Sequence, residues 1–138
     1  MSDNGLDRMN RRFAAVLRNV KQVVEPALVK SGDELASAIR QLAPEDTGDL
    51  KGSVAVTAPG QSTPAYSQPG GSRVAKEGEV LITVGNVGVR YPHLVEYGTA
   101  NSPAKPYFWP AFRLLRKRLQ SRTKRAIAKA VNDGWKSP

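Results

Sequence analysis

The chain has 138 residues, 40% of them hydrophobic, a formal net charge of +9 at pH 7 and no cysteine. This length suits one domain, and the lack of cysteine excludes a disulfide framework and a thiolate metal site and fits a reducing compartment. No apolar run approaches the ~20 residues of a membrane span, and the N-terminal MSDNGLDRMNRR lacks a hydrophobic signal core; the expectation is a protein made and kept in a cytoplasm, with no membrane partner.

From about Leu6 to Leu42 the apolar residues Phe13, Val16, Leu17, Val20, Val24, Ala27, Leu28, Leu35, Ile39 and Leu42 recur every three or four positions. That spacing predicts one apolar stripe on a long helix of period ~3.6. Pro26 interrupts it, and a proline inside a helix lacks its amide donor and crowds the preceding turn, so a kink or a short break near Glu25 is expected, the kink favoured because the stripe keeps its phase. Pro44 ends the pattern, because the residue before a proline is pushed out of the helical region.

Next comes APEDTGDLKGSV, Ala43 to Val54, and then a small-apolar alternation from Lys51 to Ala58 that reads as a strand. Pro59 to Ser72 holds three prolines and three glycines. So long a connection in a compact domain is usually functional or disordered, and residues 59–78 are expected to form a flexible loop or arm of a single domain spanning 1–138. Val80 to Val84 is a second strand, Gly85-Asn86 a turn, and Val89 to Tyr97 a strand or a short helix. The last element begins at Lys105-Pro106 and runs to about Asp133. Phe108, Phe112, Leu115, Leu119, Ala126 and Ala130 share one helical face there, and Gly134 reads as a stop. The order gives an α+β fold: a long N-terminal helix, a small antiparallel sheet with an extended Pro/Gly-rich loop, and a long basic C-terminal helix.

Charge is concentrated at the C-terminal end. From Ala111 to Pro138 there are nine Lys or Arg and a single acid, Asp133. Such a segment attracts polyanions, above all nucleic acid, or forms a solvated helix face. Arg118, Arg122, Arg125 and Lys129 form a stripe beside the apolar one and are the candidate contacts to DNA or to an acidic partner. With no readout motif, contact to DNA would be through phosphate, sequence-tolerant and weakened by salt.

The candidate acids for catalysis are Glu45, Asp46, Asp49 and Glu96, and the one histidine is His93. A carboxylate pair could serve general acid-base or Mg²⁺ chemistry. Three of these acids crowd into one loop, however, and Asp and Thr after a proline have a plain use as caps of the next turn. A lone histidine without cysteine does not build a usual zinc site, and no phosphate-cradling glycine motif is present. No enzymatic activity, cofactor or metal is therefore expected. Tyr107, Phe108 and Trp109, between Pro106 and Pro110, read as anchors of a helix start in the core or against a neighbouring subunit; Pro110 suits a first helical turn.

Two stretches together carry a resemblance. LAPEDTGDLKGSV, Leu42 to Val54, is matched at Pro44, Thr47, Gly48, Leu50 and Ser53. YPHLVEYGTANSPAKPYFWPAF, Tyr91 to Phe112, is matched at Val95, Glu96, Tyr97, Gly98, Thr99, Pro106, Pro110 and Ala111. The pair resembles the signatures of the small neck, or tail-completion, proteins of long-tailed bacteriophages and prophages, also called head–tail joining proteins. Asp49 departs from the pattern, standing where a basic residue is common.

The resemblance implies a structural virion protein of the neck, assembled in the host cytoplasm. It would form a ring of identical subunits, six or twelve, that joins the head-closure (connector) proteins to the tail terminator or tail tube, around a channel for double-stranded DNA. Pro44, Thr47, Gly48, Leu50 and Ser53 would then form one structural corner. Glu96, Gly98, Thr99, Pro106 and Pro110 would form a second. The alternatives are a tail terminator capping the tail tube, a sequence-tolerant DNA-binding protein of a mobile element, and a metal-dependent nuclease using Asp46, Asp49 and Glu96.

Overall fold

The expected long helix is present. In the computed structural model, which describes residues 5–45 and 49–136, α1 spans Gly5–Leu42 and is continuous through Pro26. One missing amide bond does not break a helix of about 57 Å that is anchored on both sides of the gap. A single helical turn follows, α2 Asp49–Gly52. It takes up the start of the strand expected from Lys51, and β1 is only Ala55–Thr57. β2 is Leu81–Thr83, and the two pair antiparallel with Val56 opposite Ile82. Two three-residue strands are too small to stand alone. Helix α1 covers them: a Cβ on Gly32 would lie 3.0 Å from Ile82 Cδ1 and 3.1 Å from Val56 Cγ1.

The Pro/Gly-rich connection is tied down at several points. Gly60 N–H donates to Ala75 O at 2.9 Å, and Thr63 N–H to Arg73 O at 2.8 Å. Gln68 and Val84 exchange both backbone bonds, at 2.8 and 2.9 Å, so the loop adds a further rung beside β2. Thr63, Ser67 and Ala75 are buried. Its glycines at positions 60, 70, 71 and 78 have positive φ, which lets so long a segment fold back on itself.

The ambiguous segment is helical: α3 is Pro92–Tyr97. Helix α4 spans Phe108–Lys136 and runs antiparallel to α1, since Arg122 meets Glu34, Ala130 meets Asn19 and Gly134 meets Val16. Gly134 is not a stop. It is buried inside α4, where a Cβ would come within 2.6 Å of Val16 Cα; a glycine there lets two backbones touch. The core lies where α1, α4 and the sheet converge, around Leu35, Ile39, Leu50, Val84, Val89 and Tyr107. Phe13 and Leu17 of the expected apolar stripe are more than half exposed and Leu42 is 47% exposed, so of that stripe only Leu35 and Ile39 are buried in the core.

Candidate functional site

The second signature folds into a corner between α3 and α4. Helix α4 begins with backbone amides that have no carbonyl a turn earlier to receive them. Glu96, buried at the end of α3, supplies the acceptor. Its Oε1 accepts from Tyr107 N–H at 3.1 Å and from Phe108 N–H at 2.8 Å, and its Oε2 from Trp109 N–H at 3.4 Å. Pro110, next in the turn, has no N–H to satisfy. A carboxylate also suits the positive end of a helix dipole. Both oxygens of Glu96 are thus spent on holding the chain.

Between these elements the backbone turns at Gly98, where φ is 78° and a Cβ would meet Ala104 N at 2.7 Å. Thr99 Oγ1 closes the following loop by accepting from the amides of Asn101 and Ser102. Lys105 N–H returns to Val95 O at 2.8 Å, just before Pro106, which is exposed. Tyr107 is 1% exposed and donates its hydroxyl to Pro92 O at 3.3 Å. Burial, with the nearby Glu96 carboxylate, pushes its phenol well above the usual range. Tyr107 is therefore a core residue and does not reach an outer surface. Phe108 and Trp109 are half-buried, ring edge to face at 4.9 Å. Trp109 donates its indole N–H to the Tyr97 hydroxyl at 2.8 Å. With Pro69 and the exposed His93 they line a cleft of about 150 Å³.

The first signature is described only on either side of its centre. Thr47, Gly48 and Asp46 lie outside the described residues. Around them, Pro44 follows the end of α1 and Leu50 of α2 is buried in the core. Ser53 Oγ donates to Leu50 O at 2.7 Å and accepts from Gly85 N–H at 3.0 Å, which ties α2 to the turn after β2. Glu45 is paired to Lys51 at 2.6 Å, which holds its carboxyl below the usual range. Of the acids considered for catalysis, Glu45 is taken up by Lys51 and Glu96 by the amides at the start of α4. Among the described residues, no cluster of His, Cys, Asp or Glu suits a metal ion.

The basic stripe is partly used within the chain. Arg122 reaches Glu34 at 2.6 Å and donates to Ser31 Oγ at 3.2 Å, and Arg118 reaches the other oxygen of Glu34 at 2.8 Å. The Arg122 bond, with the charge of Arg118 beside it, holds the Glu34 carboxyl below the usual range. Lys129 pairs with Asp133 at 3.1 Å, and Arg125 is exposed. Reading the sequence did not single out Glu34. It sits 88 residues from Arg122, and an acid on a helix carries no local mark of so distant a partner.

The fold and its corners define a class: an α+β protein in which the buried Glu96, Ser53 and Ser31 serve capping, turning and helix docking. A family model described as "Bacteriophage HK97-gp10, putative tail-component" matches residues 7–98. The chain belongs to that HK97-gp10-like family of phage tail components, a structural class and not an enzyme class. The match spans the first signature and extends through Gly98 of the second, in agreement with the resemblance those residues carry. No curated protein and no solved structure matches the chain. No described helix is long and apolar enough to cross a membrane.

Proposed function

We propose that this tail component sits in the neck. It forms a closed ring of identical subunits that joins the head-closure proteins to the tail tube around the DNA channel. The observation that carries the reading is the family match over residues 7–98. The half-buried Phe108 and Trp109 beside Tyr97, which is 68% exposed, support it with apolar surface for a neighbouring subunit. Six subunits would match a tail tube, and twelve would match the portal side. Arg125 and Lys129, repeated round such a ring, would form a basic belt toward passing duplex DNA or toward an acidic face of the next ring.

The experiment is an in-frame deletion of the gene in its phage or prophage. Electron microscopy is expected to find DNA-filled heads and finished tails that fail to join, and the plasmid-borne gene to restore joining. Infectious, normally joined particles from the deletion would overturn the reading. Mass measurement of the isolated neck is expected to give several copies related by rotation; one copy per particle would exclude a ring.

A further inference from the structure

The α1–α4 pair continues well past the sheet. Gly32 is where α1 meets the sheet, and Leu17 lies about 22 Å further along the helix. On that stretch Leu6, Met9, Phe13 and Leu17 are spaced three and four apart, so they share a face. They are 60, 42, 53 and 61% exposed. On α4, Ile127, Val131 and Trp135 repeat every four residues and are 36, 41 and 41% exposed. The rings of Phe13 and Trp135 meet edge to face at 5.7 Å, which sets the two stripes side by side. Among the described residues nothing covers this face. An apolar patch of this extent, left open beside a well-formed core, marks an interaction surface.

Its surroundings are strongly positive. Over Gly5–Glu25 and Ser121–Lys136 there are ten Lys or Arg against three Asp or Glu. The Arg12 guanidinium lies 5.2 Å over the Trp135 ring. Lys21, four residues after Leu17, and Lys124, three before Ile127, extend the two stripes with charge. A second copy of the same face would set like charges against each other, which costs association free energy. Nucleic acid would satisfy the charge but leave the Leu, Ile and Val side chains wet. An acidic helix with one apolar face satisfies both, its apolar residues lying against the exposed stripes of α1 and α4 and its carboxylates meeting the basic residues around them.

We propose that this face docks an acidic amphipathic helix of a neighbouring virion protein. The tail-component reading enters only in naming the source of that helix; the surface itself stands on the exposed stripes and their charge.

The test uses the full chain and a fluorescein-labelled synthetic peptide with Leu at positions i, i+3, i+4 and i+7 and Glu at the others. A scrambled peptide, a version with Lys in place of Glu, and a short DNA duplex are the comparison probes. Fluorescence anisotropy is expected to show binding of the acidic amphipathic peptide, weaker at high salt. Leu17→Ser with Val131→Ser is expected to weaken it about tenfold or more. Both side chains are exposed, so circular dichroism and Tm are expected to match wild type; Leu6→Ser alone is the second variant. Equal binding of the scrambled or lysine peptide, or binding indifferent to these substitutions, overturns the proposal. So does duplex binding that Leu17→Ser abolishes, which assigns the face to nucleic acid. A wild-type dimer that the same variant dissociates assigns it to a second copy. Peptide binding by a chain that never enters particles keeps the docking face and removes the tail role; the converse result removes the docking face alone.

Discussion

Glu96 carries the clearest residue-level lesson. In the sequence it is an acid near a lone histidine and an aromatic cluster, a pattern that invites catalysis. In the fold it is buried and accepts from three consecutive amides at the start of α4. Replacing it strands those donors. Glu96→Ala is expected to cost about 2–3 kcal/mol in denaturant unfolding, since a lost cap is worth roughly 1 kcal/mol and unpaired buried donors add to it. Glu96→Gln keeps an acceptor oxygen and loses the charge at the helix dipole, so about 1 kcal/mol is expected. An alanine variant as stable as wild type would refute the capping role. The motif was legible because Glu, Gly and Thr stand close together in the chain. The role was not, because the amides that donate to it lie 11 to 13 residues further on.

At the scale of elements, the contact between α1 and α4 has two kinds of fastening. Near one end Gly134 lets the backbones touch. Nearer the sheet, Glu34 receives Arg122 and Arg118. Arg122 is 17% exposed in its side chain, so it belongs to the helix junction and is no free member of a basic surface. Replacing it, unlike Arg125, is expected to lower Tm. The Glu34 carboxyl is held below its ordinary value in the folded chain, chiefly by the Arg122 bond. A depressed acid contributes stability that is complete above its unfolded value, about pH 4.3, and lost as pH falls through the lower folded value. Wild type is therefore expected to exceed Glu34→Gln in stability at neutral pH, with the gap closing below about pH 4.3. A gap that stays constant down to pH 3 would show that Glu34 acts by something other than its charge.

For the whole molecule, the net charge of +9 is unevenly committed. Arg118 and Arg122 hold α4 to α1, whereas Arg125 is exposed and Lys129 makes only an exposed i,i+4 pair worth about 0.3–0.5 kcal/mol. Arg125→Gln with Lys129→Gln is thus expected to leave the fold intact. If the proposed belt acts on DNA or on an acidic ring, particles carrying both changes should lose DNA or dock poorly as ionic strength rises. Fully infectious particles at low and high salt alike would leave those charges as a solvated surface. In the proposed ring each exposed charge would be repeated once per subunit, which is why the effect is sought in particles and not in the isolated chain.

What the sequence determined by itself was local. The three-to-four-residue repeat specifies α1 and α4, because helical periodicity is a property of neighbouring residues. The turn after α3 is also locally marked, since turning a chain favours Gly and Thr at adjacent positions such as Gly98 and Thr99. Where local signals compete, sequence alone misleads: Lys51 and Gly52 belong to a helical turn, and Gly134 lies inside α4 although glycine ends helices more often than it joins them. Tertiary structure decided the rest. It chose which residues of the α1 stripe are covered, because burial depends on where the sheet and α4 come to lie. It also divided the arginines of α4 between a partner 88 residues away and solvent, because the free energy of a charge depends on neighbours that only the folded chain brings near.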